Sequence, residues 1–361
     1  MYRNLPANQQ VLFPSFTMKK ILFVFAIVMA VLLMACKNGQ KKEPVTAPFL
    51  TAAEVVQLNQ LIYKDSSKEA FAKYVPGYEV VFTPKVVGGN YAVIARKKST
   101  EQYALVIRGS VIEFSNEGFQ NFILQDFNIF TIKPWNYADT VKDAYISQGA
   151  FTGFQNLLQL KDLATGLTIK EFIEQKIALG ASLVITGHSL GGNLAYPMAG
   201  YLKRKLSADR SSSLQLITFG APAVGNAAFV QDMEEKFPAA ERYVTDKDIA
   251  PVFPDTEKIS ELAKMIGLDS VLQLGKLNIN GSTAKLDAGK LLDIAGELLE
   301  RTNIINKTNK YVQSQKHLRL LTVKEASPSN TALSAEAVFD NAYRFHKIDA
   351  YAVLLGGKAL E

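Results

Sequence analysis

The feature that most constrains this chain is a change of periodicity around residue 189. Leu183-Val184-Ile185-Thr186 is an apolar, β-branched run of the kind that forms a strand buried on both faces. Gly187-His188-Ser189-Leu190-Gly191-Gly192 follows at once, and Leu194-Ala195-Tyr196-Pro197-Met198 opens a helical pattern. A strand that turns into a helix across so few residues strains the backbone of the residue at the turn and brings the flanking chain close together. The residues two before and two after must therefore lack bulk, and Gly187 and Gly191 meet that need. The helix also aims its first N–H groups and positive end at any negative charge formed beside Ser189. Gly-Xaa-Ser-Xaa-Gly alone is a weak pattern. The strand before it and the helix after it make Ser189 a candidate nucleophile, against the alternative of an idle serine in a glycine-rich turn.

A serine hydroxyl is nearly un-ionised at neutral pH, so it needs a base within hydrogen-bond reach and a carboxylate to orient that base. The chain has three histidines. His188 is read as a packing residue of the turn, because a sequence neighbour there points away from its serine. His317 lies in Lys316-His317-Leu318-Arg319-Leu320-Leu321, an alternating strand pattern in which an exposed structural histidine is an adequate explanation. His346 lies in Phe345-His346-Lys347-Ile348-Asp349-Ala350-Tyr351. For the carboxylate, Asp246 and Asp248 both follow the strand-like segment from Glu241 to Val244, and a solvated turn aspartate is the plain alternative for either.

From about Leu50 onward strand-like and helix-like segments alternate, which predicts a mostly parallel α/β sheet covered by helices in a single domain. Helices are expected over Ala53–Tyr74, Phe151–Leu163, Ile169–Leu179, from the turn at Ser189 to about Lys205, and over Ala227–Phe237. Strands are expected over Tyr78–Val87 and Tyr91–Arg96, joined through Gly88-Gly89-Asn90, and over Tyr103–Ile107, Ser182–Thr186, Leu214–Thr218 and Glu241–Val244. The stretch 255–343 reads as a helical insertion between the acid and the histidine.

At this point a resemblance becomes specific. Ile185-Thr186-Gly187-His188-Ser189-Leu190-Gly191-Gly192 and Thr218-Phe219-Gly220-Ala221-Pro222-Ala223-Val224-Gly225-Asn226 resemble two consecutive blocks of the lipase class 3 family, with Ala223 where that family usually has arginine. The likeness runs from about Tyr103 to Leu355 and covers the segment after Asp255 poorly. It implies an α/β-hydrolase fold and a triacylglycerol lipase or carboxylesterase type of serine hydrolase. It favours His346, which sits in a block like the family's late histidine followed by a tyrosine, and Asp248, which precedes a short apolar-proline run. It also implies an oxyanion hole made by the backbone N–H groups of Leu190 and of Ser110, the latter at the end of Arg108-Gly109-Ser110. The order Ser189, Asp248, His346 is that of α/β-hydrolases. Phe119, Phe122, Ile123 and Phe127 form an apolar face in an aromatic stretch from Phe114 to Trp135, readable as core or as a lid over an acyl site.

The N-terminus carries a different signal. Met18-Lys19-Lys20 is followed by an unbroken apolar run of 15 residues, Ile21 to Ala35, closed by Cys36, the chain's single cysteine. Residues 18–35 have the shape of an export signal, and Leu33-Met34-Ala35-Cys36 resembles a bacterial lipobox in which Cys36 takes the lipid. A signal anchor is the alternative, although the run falls short of the roughly 20 residues that span a bilayer. Residues 1–17 read as an over-extended start, and residues 36–50 as a tether to a hydrolase domain over 51–361. The expected location is therefore the cell envelope.

Charge excludes one class. Of the formal +6, Arg3, Lys19 and Lys20 contribute three without any acid in residues 1–35, so the remainder is near +3, which at this size carries no nucleic-acid signature. No metal-ligand cluster or nucleotide loop is visible, so no metal or other cofactor is implied. The expected partners are a lipid or ester substrate and, through Cys36, a membrane. Two other readings stay open: a non-catalytic binding lipoprotein with a hydrolase fold, and an acyltransferase.

Overall fold

The alternating segments build a seven-stranded sheet with helices on both faces in a computed structural model that describes residues 47–64, 67–109, 131–248, 250–253, 311–324 and 344–360. Along the chain, α1 (Ala52–Leu61) and α2 (Ser67–Tyr74) precede β1 (Tyr78–Phe82), β2 (Ala92–Lys97) and β3 (Gln102–Ile107). Next come β4 (Ile132–Pro134), β5 (Tyr145–Ser147), α3 (Gln148–Leu158), α4 (Ile169–Lys176), β6 (Ser182–His188) and α5 (Leu190–Lys205). The short α6 (Ala208–Ser211), β7 (Leu214–Phe219), β8 (Gly225–Asn226), α7 (Ala227–Lys236) and β9 (Glu241–Thr245) follow. Last are β10 (Tyr311–Val312), β11 (Leu318–Leu321) and α8 (Ile348–Leu354). The central sheet has the order β1-β2-β3-β6-β7-β9-β11. Its first three strands are antiparallel and the pairs from β3 to β11 are parallel. A small second sheet runs β10-β8-β5-β4.

Every residue of β6 is buried, as an apolar run in the middle of a parallel sheet requires. Successive side chains point to opposite faces. Leu183 and Ile185 enter one core with Leu105, Ile107 and Leu216 under Phe154 of α3, Ile173 of α4 and Leu194 of α5. Val184 enters the other with Val106, Ile217 and Phe219, beneath Leu58 and Leu61 of α1 and Tyr351 of α8. α5 leaves the C-terminal end of β6, so Ser189 stands where the sheet's parallel strands end.

Several element boundaries move from those expected. The single helix over Ala53–Tyr74 is two helices. α1 is opened by a capping box, in which the Thr51 side chain accepts from the Glu54 N–H and the Glu54 carboxylate accepts from the Thr51 N–H; the chain leaves helical form after Leu61. β1 ends at Phe82 rather than Val87, because Pro84 has no N–H for the ladder. The turn itself is as read: Gly88 and Gly89 have φ of 52° and 79° between the bridged Val87 and Asn90, as a tight hairpin turn demands. α3 starts at Gln148, three residues early, since the Ser147 hydroxyl caps it by accepting from the Ala150 N–H. Within the stretch read as a helical insertion, residues 318–321 form a strand, as their alternating pattern suggested, and it joins the central sheet parallel to β9; most of that stretch lies outside the described residues.

Trp135 is core, edge-on to Tyr137, Phe154 and Phe229, while the other aromatics of its stretch, Phe114 to Phe130, lie outside the described residues. Its indole N–H donates to Asp232 of α7, and the same carboxylate pairs with Lys236 at 2.6 Å, both side chains being almost wholly buried. Lys236 also donates to the Tyr137 carbonyl at 2.6 Å, so one buried ion pair pins the segment 135–139 to α7.

Candidate active site

The turn after β6 holds Ser189 at φ 57°, ψ −128°, a left-handed φ that a non-glycine residue adopts at a cost. Its N–H is held by the Phe219 carbonyl at the end of β7, 2.9 Å away, and its own carbonyl accepts from the Asn193 N–H at 3.0 Å. That bond is the first of α5, so the N–H groups of Leu190, Gly191 and Gly192 precede the helical ladder. A Cβ at Gly187 would run into the backbone of Gly191, and one at Gly191 would run into the Ile107 carbonyl. Both glycines are thus demanded by close approach, as their spacing about the serine predicts.

Two other segments converge on the same place. Asp248 follows β9, and His346 lies in the short segment before α8. The His346 Nε2 is 2.8 Å from the Ser189 Oγ, and its Nδ1 is 2.8 and 3.0 Å from the two Asp248 oxygens. All three residues are buried. An ionised Asp248 can only accept, so it fixes the His346 proton on Nδ1 and leaves the Nε2 lone pair facing the serine hydroxyl. Asp248 is held in turn: its Oδ1 accepts from the Ala250 N–H at 2.8 Å, and its Oδ2 accepts from the Tyr351 hydroxyl at 2.6 Å. Burial, and then the Asp248 charge, push the Tyr351 phenol well above its ordinary pKa, so Tyr351 stays a donor.

The alternatives have other occupations. Asp246 accepts from the Val323 N–H at 3.0 Å and binds the chain after β11 rather than a histidine. His317 is not exposed, as its strand pattern suggested, but buried, its relative exposure 1%. It precedes β11, and its carbonyl accepts from the N–H of Arg242 near the start of β9. In a parallel pair the starts of β9 and β11 lie at the end of the sheet opposite Asp248, which removes His317 from Ser189.

Leu190 is the first residue of α5 and is buried beside the serine. Ser110 and Cys36 lie outside the described residues. Gly109, the last described residue before Ser110, is close to Ser189: a Cβ there would fall 2.7 Å from the His188 carbonyl and 3.4 Å from the Ser189 Cβ.

Sequence reasoning missed two parts of this site. Gly220, at φ 56°, lies beneath the acid; a Cβ on it would fall 2.9 Å from the Asp248 Oδ2 and 3.3 Å from the His346 Cε1. Tyr351 was quoted only as part of a block, although a tyrosine five residues beyond a candidate histidine was a usable signal. His188 does point away from Ser189, but toward His346: its Nε2 is 2.6 Å from the His346 carbonyl, and its Nδ1 is 3.0 Å from the Tyr63 hydroxyl.

Known lipases resemble parts of this chain in sequence and fold. Residues 104–258 match the family model described as lipase (class 3). A lipase of Rhizomucor miehei is 30% identical over 164 residues, which is 45% of this chain and 40% of that protein. Lipase ZK262.3 of Caenorhabditis elegans is 31% identical over 100 residues, 27% of either chain. The chain thus spans less than half the length of these curated relatives. The crystal structure of M37 lipase superposes with a TM-score of 0.60 at 22% identity, over 85% of this chain and 93% of that one, and shares its fold.

Proposed function

We propose that this chain, whose residues 104–258 match the lipase (class 3) family model, is a serine hydrolase of lipid carboxylic esters, acylglycerols or phospholipids. The observation that carries this reading is the hydrogen-bonded chain Asp248–His346–Ser189 at a serine of positive φ. His346 takes the hydroxyl proton as Ser189 Oγ attacks the ester carbonyl. The oxyanion is met by the Leu190 N–H at the head of α5 and by the Ser110 N–H that the family likeness supplies; one such donor is worth about 10²- to 10³-fold in rate. His346 then passes its proton to the leaving alkoxide, and water, deprotonated by the same histidine, releases the acyl group from Ser189.

A fluorophosphonate probe tests the reading. Wild type is expected to be labelled and Ser189→Ala not; an unlabelled wild type would leave a binding protein with a hydrolase fold. Turnover of p-nitrophenyl esters, triacylglycerols and phospholipids then sets the substrate class, and product formation on an added alcohol acceptor separates transfer from hydrolysis.

The same proposal places the enzyme on the cell envelope through a lipidated Cys36. The 14 steps from Cys36 to Leu50 reach at most roughly 50 Å when extended, which keeps the domain near a bilayer. Among the described residues no helix is long and apolar enough to cross a membrane. Palmitate labelling and fractionation in a bacterial host are the check: a Cys36→Ser variant still labelled, or a wild type wholly in the soluble fraction, would sink the anchor.

A further inference from the structure

His188 bonds to the candidate base through the backbone rather than through the ring. The first bond of α8 runs from the Ala350 N–H to the Lys347 carbonyl, so the His346 carbonyl lies one residue ahead of the helical ladder. Its partner is the His188 Nε2, 2.6 Å away and buried. A carbonyl only accepts, so Nε2 carries the proton, and in a neutral ring Nδ1 must then accept. The Tyr63 hydroxyl, 3.0 Å from Nδ1, supplies that proton. The neighbouring Phe345 carbonyl is held by the Thr245 hydroxyl at 3.4 Å. Two consecutive carbonyls of the histidine-bearing segment are thereby tied to the ends of β6 and β9. The His188 and His346 rings lie 4.8 Å apart, tilted by 36°. A second positive charge at that distance would oppose the imidazolium that forms on His346 during reaction. Burial first, and then the His346 ring, hold His188 well below the ordinary histidine pKa, so it stays neutral there.

We infer that His188 is a positioning residue for His346: Tyr63 satisfies its Nδ1 and holds the ring, and its Nε2–H fixes the backbone from which the base reaches between Asp248 and Ser189. The inference rests on the ester-hydrolase reading. Neither His188 nor Tyr63 is assigned contact with substrate.

Two amide variants of the full-length chain separate donor position from bulk. In His188→Gln the amide nitrogen reaches the place of Nε2 and can still donate to the His346 carbonyl. In His188→Asn it reaches only the place of Nδ1 and cannot. Fluorophosphonate labelling is expected to stay close to the wild-type rate in the glutamine variant and to fall roughly 100-fold in the asparagine variant, the cost of a base displaced by about 1 Å. With p-nitrophenyl butyrate the loss is expected in kcat with KM retained, because the substrate contacts are untouched. Equal rates in the two variants, fast or slow, or a faster asparagine variant, overturn the inference. Should both fail to fold, Tyr63→Phe decides: a reduced labelling rate supports the assignment and a wild-type rate overturns it. A wild type that is not labelled overturns the hydrolase reading itself, and this inference with it.

Discussion

At the scale of single residues the site depends on groups that never meet the substrate. Asp248 is a buried carboxylate whose second oxygen is held by Tyr351 at 2.6 Å. A hydrogen bond to a charged group is worth about 1.5–3 kcal/mol. Tyr351→Phe keeps the ring and removes that bond together with the one the hydroxyl accepts from the Thr245 N–H at 3.3 Å, so kcat for ester hydrolysis is expected to fall at least about tenfold with little change in KM. An unchanged kcat would show that Asp248 is oriented by the Ala250 N–H alone. Gly220 makes a sharper case, because a methyl group there meets both φ 56° and the Asp248 carboxylate at 2.9 Å. Gly220→Ala is expected to lower activity and the unfolding temperature together, whereas Tyr351→Phe acts mainly on activity. Ser189 was legible in the sequence because its constraint is local, a serine between two obligatory glycines. Gly220 was not, because its constraint comes from Asp248 and His346, which reach it only in the folded chain.

Elements were legible where periodicity alone defines them and less so where a cap or a tertiary contact sets their ends. The buried run of β6 and the helix after Ser189 stand where the pattern put them. The break between α1 and α2 does not show in apolar spacing, yet it frees Tyr63 from the helix to reach His188. β11 was readable as a strand, but nothing local told that it joins the central sheet beside β9. Caps can be tested directly. Thr51 and Thr168 both close capping boxes, with Glu54 and Glu171. Thr51→Ala is expected to cost about 1 kcal/mol in denaturant unfolding. Asp232→Ala in α7 should cost more, up to about 3–5 kcal/mol, because it leaves the buried Lys236 only the partly exposed Asp139 carboxylate at 3.5 Å as a counter-charge. If the two substitutions proved equally mild, the buried pair would not be what pins residues 135–139.

For the molecule as a whole, two buried histidines link stability to pH. Burial is the first cause that lowers the pKa of both His188 and His317 below the ordinary value of 6.5. Above 6.5 neither the folded nor the unfolded chain protonates them, so they add no pH-dependent penalty. Below 6.5 the unfolded chain takes up protons that the folded chain refuses, so stability falls with pH until the folded pKa values are passed. The unfolding temperature is expected to drop as pH falls from about 7 to 5, and the drop should be shallower in His317→Gln; identical slopes would remove His317 from the linkage. The sequence by itself determined the elbow, the strand and helix alternation and the candidate serine, because glycine spacing and hydrophobic period act over a few residues. It left two aspartates and two histidines to be separated by family likeness. Only the tertiary structure decided how they stand at Ser189, across separations of 98 residues between Asp248 and His346 and 157 between Ser189 and His346. The physical reason is that parallel strands gather their C-terminal ends on one side of the sheet, so a residue that follows β6 or β9 meets the serine and one that precedes β11 cannot.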